Sequence, residues 1–215
     1  MTPDLQPPAG SPDERLTALL AAGPDVDEGE AARLRDAFVA DTERSELLDV
    51  AYRTLDSPVG SLLLAATTAG LVRVGFECEG HDRVLARIAA DVSPRILRSG
   101  RRLDDVARQL DEYFARRRRD FDLALDLRLA RGFRRIVLDH LRAVPYGTTA
   151  SYAALAAASG RPAAVRAVGT ACARNPLPLV VPCHRVVRSD GTIGQYGGGV
   201  EAKRLLLDLE VRPAG

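Results

Sequence analysis

A mixed α/β (α+β) fold, strands first and helices after, is predicted by three observations. Short apolar runs broken by turn residues fill residues 51–76. Two amphipathic helical patterns follow, and from Gly132 onward nearly every periodic segment has helical spacing. Gly and Pro separate the segments of that second part. With 215 residues, 46% of them hydrophobic, the chain is long enough for one or two compact domains. The divisions fall at residues 1–49, 50–129 and 130–212.

Residues 1–12 are rich in Pro, Gly and Asp and are expected to be irregular. Residues 13–22 and 28–40 predict two short helices parted by Gly23-Pro24, with Leu16, Leu19 and Leu20 on one face and Ala31, Leu34, Phe38 and Val39 on another. A solubilising arm and a lid over the basic half of the chain both fit this acidic extension, and the first is preferred. Tyr52–Leu55, Ser61–Ala66 and Leu71–Phe76, joined by turns at Asp56–Gly60 and Thr68–Gly70, predict a three-stranded antiparallel meander. Helices are predicted over 82–91 and 103–116, the second with Leu103, Val106, Leu110, Tyr113 and Phe114 on one face. The basic run Arg116–Arg119 suits the negative end of that helix as well as it suits a nucleic acid. Phe121–Leu129 alternates and predicts a strand or an extended connector.

In the second part, Phe133–Val144 predicts a helix ended by Pro145-Tyr146-Gly147. Thr149 or Ser151 can cap the next helix, which runs through Ala158. Gly160-Arg161-Pro162 turns into a helix over Ala163–Arg174, stopped by Asn175-Pro176. Helix, Gly-containing turn, helix is the outline of a helix-turn-helix, an outline that many helical hairpins share. Small residues at Ala163, Ala164, Ala167, Gly169 and Ala171 let the second helix approach a surface closely, with Arg166 left as its charged residue. The apolar stretch Asn175–Val181 predicts a buried strand that delivers Cys183 to a site.

Charge is uneven. Residues 1–49 hold 4 Arg and 12 Asp/Glu, a net of −8; residues 130–215 hold 11 Arg, 1 Lys and 5 Asp/Glu, a net of +7. A basic second part is the footprint of a polyanion binder or of an Arg-rich solvated face. Lys203 is the single lysine of the chain, which, with the abundant alanine, is put down to coding bias. The three cysteines, Cys78, Cys172 and Cys183, are odd in number and form no CxxC, which points to a reducing, cytoplasmic setting. No run of 18 apolar residues occurs and no signal peptide is visible, so no membrane association is expected. Cys78, Glu79 and His81 are too few for a metal site, and no metal is expected.

The chemistry concentrates at Pro182-Cys183-His184-Arg185. A thiolate is the strongest side-chain nucleophile, and a neighbouring imidazole or guanidinium favours its formation. A packed structural cysteine is the commoner fate of a lone Cys. Its Pro, His and Arg neighbours argue for a reactive one.

Arg166-Ala167-Val168-Gly169, Asn175-Pro176, Pro182-Cys183-His184-Arg185-Val186, Tyr196-Gly197-Gly198 and Lys203-Arg204-Leu205-Leu206 follow in one order at close spacing. Together they resemble the O6-alkylguanine-DNA alkyltransferases (methylated-DNA–protein-cysteine methyltransferases), single-use repair proteins. The resemblance spans about residues 50–210, with Asp56–Gly60 and Leu110–Phe114 as looser matches. It implies a ribonuclease-H-like α/β domain followed by a helical, winged-helix-like DNA-binding domain that carries the active-site cysteine. It implies double-stranded DNA containing O6-alkylguanine as partner, bound through the minor groove with the target base flipped out. Cys183 matches the nucleophile and methyl acceptor, His184 the residue that deprotonates it through a water, and Glu210 the carboxylate that orients the imidazole. Tyr152 matches the residue that neutralises the departing guanine at N3, and Asn175 the hinge before the active-site segment. Arg166 matches the arginine that takes the flipped base's place. Ser151, Ala164, Ala167 and Ser189 match DNA-facing positions. Val186, Tyr196, Gly197 and Gly198 match the pocket wall, with Gly197 standing where some members have serine. No cofactor is implied. With no Cys before Cys78, the zinc-bound domain of the fused adaptive-response members is not expected. A monomer is expected, with cooperative assembly on DNA left open.

Three other readings compete with this one. A non-catalytic lesion-binding protein would lack the cysteine. A Cys-His-Glu thiol hydrolase leaves the helix-turn-helix and Arg166 without a use. A transcriptional regulator reads the major groove with long polar side chains, and this helix offers mostly Ala, Val, Gly and Thr.

Overall fold

The computed structural model describes residues 48–211, together with Asp27, Gly29, Arg33 and Ala37. The chain divides into two units, Met1–Asp41 and Thr42–Gly215. Gly29, Arg33 and Ala37 are helical, whereas the expected helix over 13–22 and the irregular stretch over 1–12 lie outside the described residues. The second unit carries the sheet, the other helices and the site.

Strands β1 (Val50–Leu55), β2 (Leu62–Thr67) and β3 (Gly70–Phe76) form the expected antiparallel meander, with Leu55 opposite Leu62 and Leu62 opposite Phe76. A short β4 (Ile96–Arg98) pairs parallel with β1, so the sheet order is β3-β2-β1-β4. All six residues of β2 are buried, because both faces of the sheet are covered. Side chains alternate across the pleat. Leu63 and Ala65 meet Val84 and Ile88 of helix α1 (His81–Asp91) on one face. Leu62, Leu64 and Ala66 meet Val106, Leu110 and Tyr113 of helix α2 (Asp104–Phe114) on the other. Each fully buried leucine there contributes roughly 2 kcal/mol. This second face also receives the helical half, through Val137, Leu138, Leu155 and Leu206.

Phe121–Leu129 is an extended connector rather than a strand. It meets β3 at one isolated parallel bridge, Leu71 with Leu125, and ends in a 3₁₀ turn over Leu127–Leu129 capped by Asp126. The basic run after α2 is tied to protein: Arg118 pairs with Glu112 at 2.7 Å and donates to the Asp120 carbonyl at 2.9 Å, and Arg119 lies over the Tyr146 ring at 5.8 Å.

The helical half holds α3 (Phe133–Arg142), β5 (Ala150–Ser151), α4 (Tyr152–Ala158), α5 (Val165–Ala173), β6 (Val186–Val187) and α6 (Gly199–Val211). Helix α5 packs on α3 and α4, which gives the helix-turn-helix its shape. Ser151, not Thr149, is the cap of α4, accepting a hydrogen bond from the Ala154 amide at 3.0 Å.

The strand expected over Asn175–Val181 is not there; the segment is a sequence of bends and turns. Its apolar residues are buried, as expected, but Pro176 and Pro178 have no N–H to pair and Leu179 sits at φ 73°, outside the extended region. The Val181 amide turns back to the Leu177 carbonyl at 2.8 Å. Asn175 closes the loop from inside, accepting from the Leu177 amide at 3.0 Å and donating to the Val181 carbonyl at 2.8 Å.

Candidate active site

Cys183 opens a 3₁₀ turn, Cys183–Arg185, whose three residues are all buried. The turn is held between the Asn175–Val181 loop and β6. Strand β6 pairs parallel with β5, Ala150 with Val186 and Ser151 with Val187. That pairing sets the start of α4, and therefore Tyr152, beside the cysteine turn. A Cβ on Gly194 would lie 2.8 Å from the Tyr152 hydroxyl, so the 190s loop closes over this ring. Burial and the neighbouring sulfurs of Cys172 and Cys183 raise the Tyr152 pKa.

The Asn175 amide donates to Cys183 Sγ at 3.1 Å. Burial pushes the Cys183 thiol up to about 11, with Asn175 and the Lys203 charge pulling the other way. The thiol is therefore protonated at neutral pH, and its reaction needs a base.

His184 is fully buried, with Nε2 2.8 Å from Glu210 Oε1. Burial lowers its pKa, against the pull of Glu210. An ionised carboxylate only accepts, so Nε2 carries the proton and Nδ1 keeps a lone pair. Nδ1 is buried and has no protein partner among the described residues. A neutral imidazole oriented by a carboxylate, its second nitrogen free, has the form of a general base.

Glu210 is the hub. Oε1 accepts from His184, from the Tyr113 hydroxyl at 2.8 Å and from Arg185 Nη2 at 3.0 Å; Oε2 accepts from the Gly147 amide at 3.1 Å and from Arg185 Nε at 2.9 Å. Burial raises its pKa, but the His184 and Arg185 hydrogen bonds outweigh that and hold it down to about 2. Gly147 reaches Glu210 at φ 73°, a conformation other residues resist. Arg185 is itself anchored, donating to the Val144 carbonyl at 2.6 Å.

Tyr196 makes edge contacts with His184 at 6.3 Å and with Phe76 of β3 at 5.3 Å between ring centroids. Gly198 lies so close to Phe76 that an added Cβ would stand 2.7 Å from its ring. A cleft of about 530 Å³ reaches Cys183 and is lined also by Arg73, Phe76, Cys172, Asn175 and Gly197.

The structure thus brings together Cys183, His184, Glu210, Asn175, Tyr152, Val186 and Tyr196. Arg166 and Ala167 are exposed on the outer face of α5, with Ala164 half-buried just before it. Ser189 is exposed in the turn that Arg188 and Thr192 close at 3.0 Å. The Ser151 hydroxyl is engaged as a helix cap. Sequence reasoning left Tyr113, Gly147 and Lys203 unassigned, and it set the Arg185 guanidinium beside the thiol, whereas the structure pairs it with Glu210. Lys203 is fully buried and donates to the Val186 carbonyl. Its signal was in plain view, as the one lysine in a chain whose other permanently charged basic residues are all arginine.

Residues 50–127 match the family model for the ribonuclease-like domain of 6-O-methylguanine DNA methyltransferase, and residues 132–212 that for its DNA-binding domain. A methylated-DNA–protein-cysteine methyltransferase of Mycolicibacterium paratuberculosis is 40% identical over 163 residues, 76% of this chain and 93% of the relative. The bifunctional transcriptional activator/DNA repair enzyme Ada of Escherichia coli is 38% identical over 169 residues, 77% of this chain and 46% of that protein. The crystal structure of Mycobacterium tuberculosis O6-methylguanine methyltransferase superposes with a TM-score of 0.65 at 37% identity, covering 77% of this chain and 96% of that one. The Mycobacterium tuberculosis protein in complex with DNA gives 0.63 at 36% identity, over 75% and 92%. The strand-first half, the helical half and the cysteine turn therefore make this chain a member of the methylated-DNA–protein-cysteine methyltransferase family, which repairs DNA by alkyl transfer.

Proposed function

We propose that the chain reverses alkylation at guanine O6 by moving the alkyl group irreversibly to its own Cys183. One observation carries the assignment of roles: an amide-held thiol lies next to a neutral, carboxylate-oriented imidazole inside one buried cluster. Sγ attacks the alkyl carbon, the S–C bond forms as the C–O6 bond breaks, and the thiol proton passes to His184 Nδ1 by way of a water. The electron pair of the broken bond leaves on guanine O6, and Tyr152 donates toward N3 of the departing base. The thioether cannot be hydrolysed by this machinery, so each molecule acts once. Asn175 holds the thiol, and Val186, Tyr196, Gly197 and Gly198 wall the alkyl pocket.

We take α5 as the element that enters the minor groove. Ala164 and Ala167 allow the approach, Arg166 fills the gap left by the flipped nucleotide, and Ser151 and Ser189 flank the backbone. Duplex DNA with O6-alkylguanine is the partner, O4-alkylthymine a second substrate, and a monomer the acting form. Residues 1–49, 50–129 and 130–212 are taken as its three segments. Three free cysteines fit a cytoplasmic setting.

Intact-protein mass after incubation with a duplex holding one O6-methylguanine tests the reading. The expected gain is one methyl, about 14 Da, on Cys183 and never more than one. Cys183→Ser is expected to gain nothing yet bind the duplex; transfer by this variant would sink the nucleophile assignment.

A further inference from the structure

We infer that Tyr113, on α2 of the strand-bearing half, is a positioning residue that tunes the basicity of His184 through Glu210. This inference rests on the relay proposed above. The observation is geometric. Tyr113 reaches 97 positions along the chain to donate to Glu210 Oε1 at 2.8 Å, the same oxygen that holds His184 Nε2. Its ring is fully buried and fixed by edge contacts with Phe114 at 5.4 Å and Tyr146 at 6.2 Å and a tilted one with Phe121 at 5.3 Å. A hydroxyl so held cannot turn away, and its burial beside Glu210 keeps it protonated.

Two donors that share one carboxylate oxygen compete for its charge. The Tyr113 hydroxyl draws density from Oε1 and weakens what Glu210 offers the imidazole. It thereby keeps His184 less basic and neutral at working pH. The other groups facing this centre are accounted for. Arg185 and the Gly147 amide hold Glu210; Lys203, Cys183 and Tyr196 surround the imidazole side; Tyr146, with Arg116 and Arg119 near its ring, lies behind Tyr113. Of these, only Tyr113 comes from the strand-bearing half and touches the shared oxygen.

The test is the pH profile of single-turnover methyl transfer from a short O6-methylguanine duplex, from about pH 5 to about pH 9, across the range where histidine titrates. Tyr113→Phe keeps the ring and removes the donor. The acid limb is expected to move up by about one unit, because a hydrogen bond to a charged group is worth that much. Site-specific 3-fluorotyrosine in place of Tyr113 strengthens the donor and is expected to move the limb down. Opposite shifts support the inference, since a merely structural disturbance has no reason to change sign with donor strength. No shift in either variant, or two shifts of one sign, overturns it. His184→Gln is the control on the relay itself. If its profile keeps the same acid limb, His184 is not the base, and the relay fails together with any role of Tyr113 in it. If the limb disappears there but stays put in Tyr113→Phe, the relay stands and the Tyr113 inference alone falls.

Discussion

Replacing Glu210 by Gln removes a charge and one acceptor while leaving the shape. Every group that faces the two oxygens is a donor: His184, Tyr113 and Arg185 on one, Gly147 and Arg185 on the other. Whichever way the amide is turned, its NH₂ meets N–H or O–H, and Arg185 loses its counter-charge while 5% exposed. Two routes give the magnitude. Removing one partner of a buried ion pair costs about 3–5 kcal/mol. The Glu210 pKa falls from an ordinary 4.5 to about 2 in the fold, and that depression corresponds to about 3 kcal/mol at neutral pH. The side chain is only 1% exposed, so solvent screening takes little away. Because the folded pKa is depressed, this stabilisation is whole above pH 4.5 and is lost as pH falls toward 2. Thermal melts of both proteins are the assay. At pH 7 the variant should melt roughly 6–12 °C lower. The gap should close as the pH is taken down through that window, since the glutamine does not titrate. Equal melting temperatures at pH 7, or a gap unchanged by acid, would refute the account of Glu210 as an ionised hub.

Asn175→Ala frees the Val181 carbonyl and removes the only side-chain donor to Cys183 Sγ among the described residues. The thiol pKa should rise further and methyl transfer slow by about tenfold or more, read by single-turnover rates and thiolate absorbance. Gly198→Ala drives a Cβ against the Phe76 ring, so the pocket wall should shift and bulky-alkyl transfer should change more than methyl transfer in a competition assay. Gly147→Ala forces alanine to φ 73°, and should lower stability by about 1–2 kcal/mol in urea denaturation. Lys203→Met keeps volume but removes a buried charge near Cys183; slower thiol alkylation at fixed pH is the expected result, and an unchanged rate would argue that the charge does not reach the sulfur.

Local signals were legible wherever one segment decides its own structure. The meander, the apolar face of α2 and the Ser151 cap all follow from period and capping chemistry, and the structure has them. Asn175–Val181 deceived because burial and strand look alike in a short apolar run; two prolines and a left-handed leucine settle it as a loop. Helix α6 went unread as a helix because its start, Gly197-Gly198-Gly199, carries the signature of a turn. Cys183 stood out by its Pro, His and Arg neighbours, whereas the roles proposed for His184 and Glu210 came from resemblance to a family, not from periodicity. What no local pattern shows is the crossing of distant segments. Tyr113 looks like one more core residue on a helix face, and only the fold brings its hydroxyl to Glu210. The same holds for Val74, whose amide pairs with the Pro176 carbonyl at 2.8 Å and fastens the cysteine loop to the sheet.

The hub also sets an order of events during synthesis. Glu210 lies 26 positions after His184, so the proposed nucleophile and base are made before the carboxylate that holds the imidazole. A chain cut before the last turn of α6 would keep Cys183 and His184 and lose the acceptor on which His184, Tyr113, Arg185 and Gly147 converge.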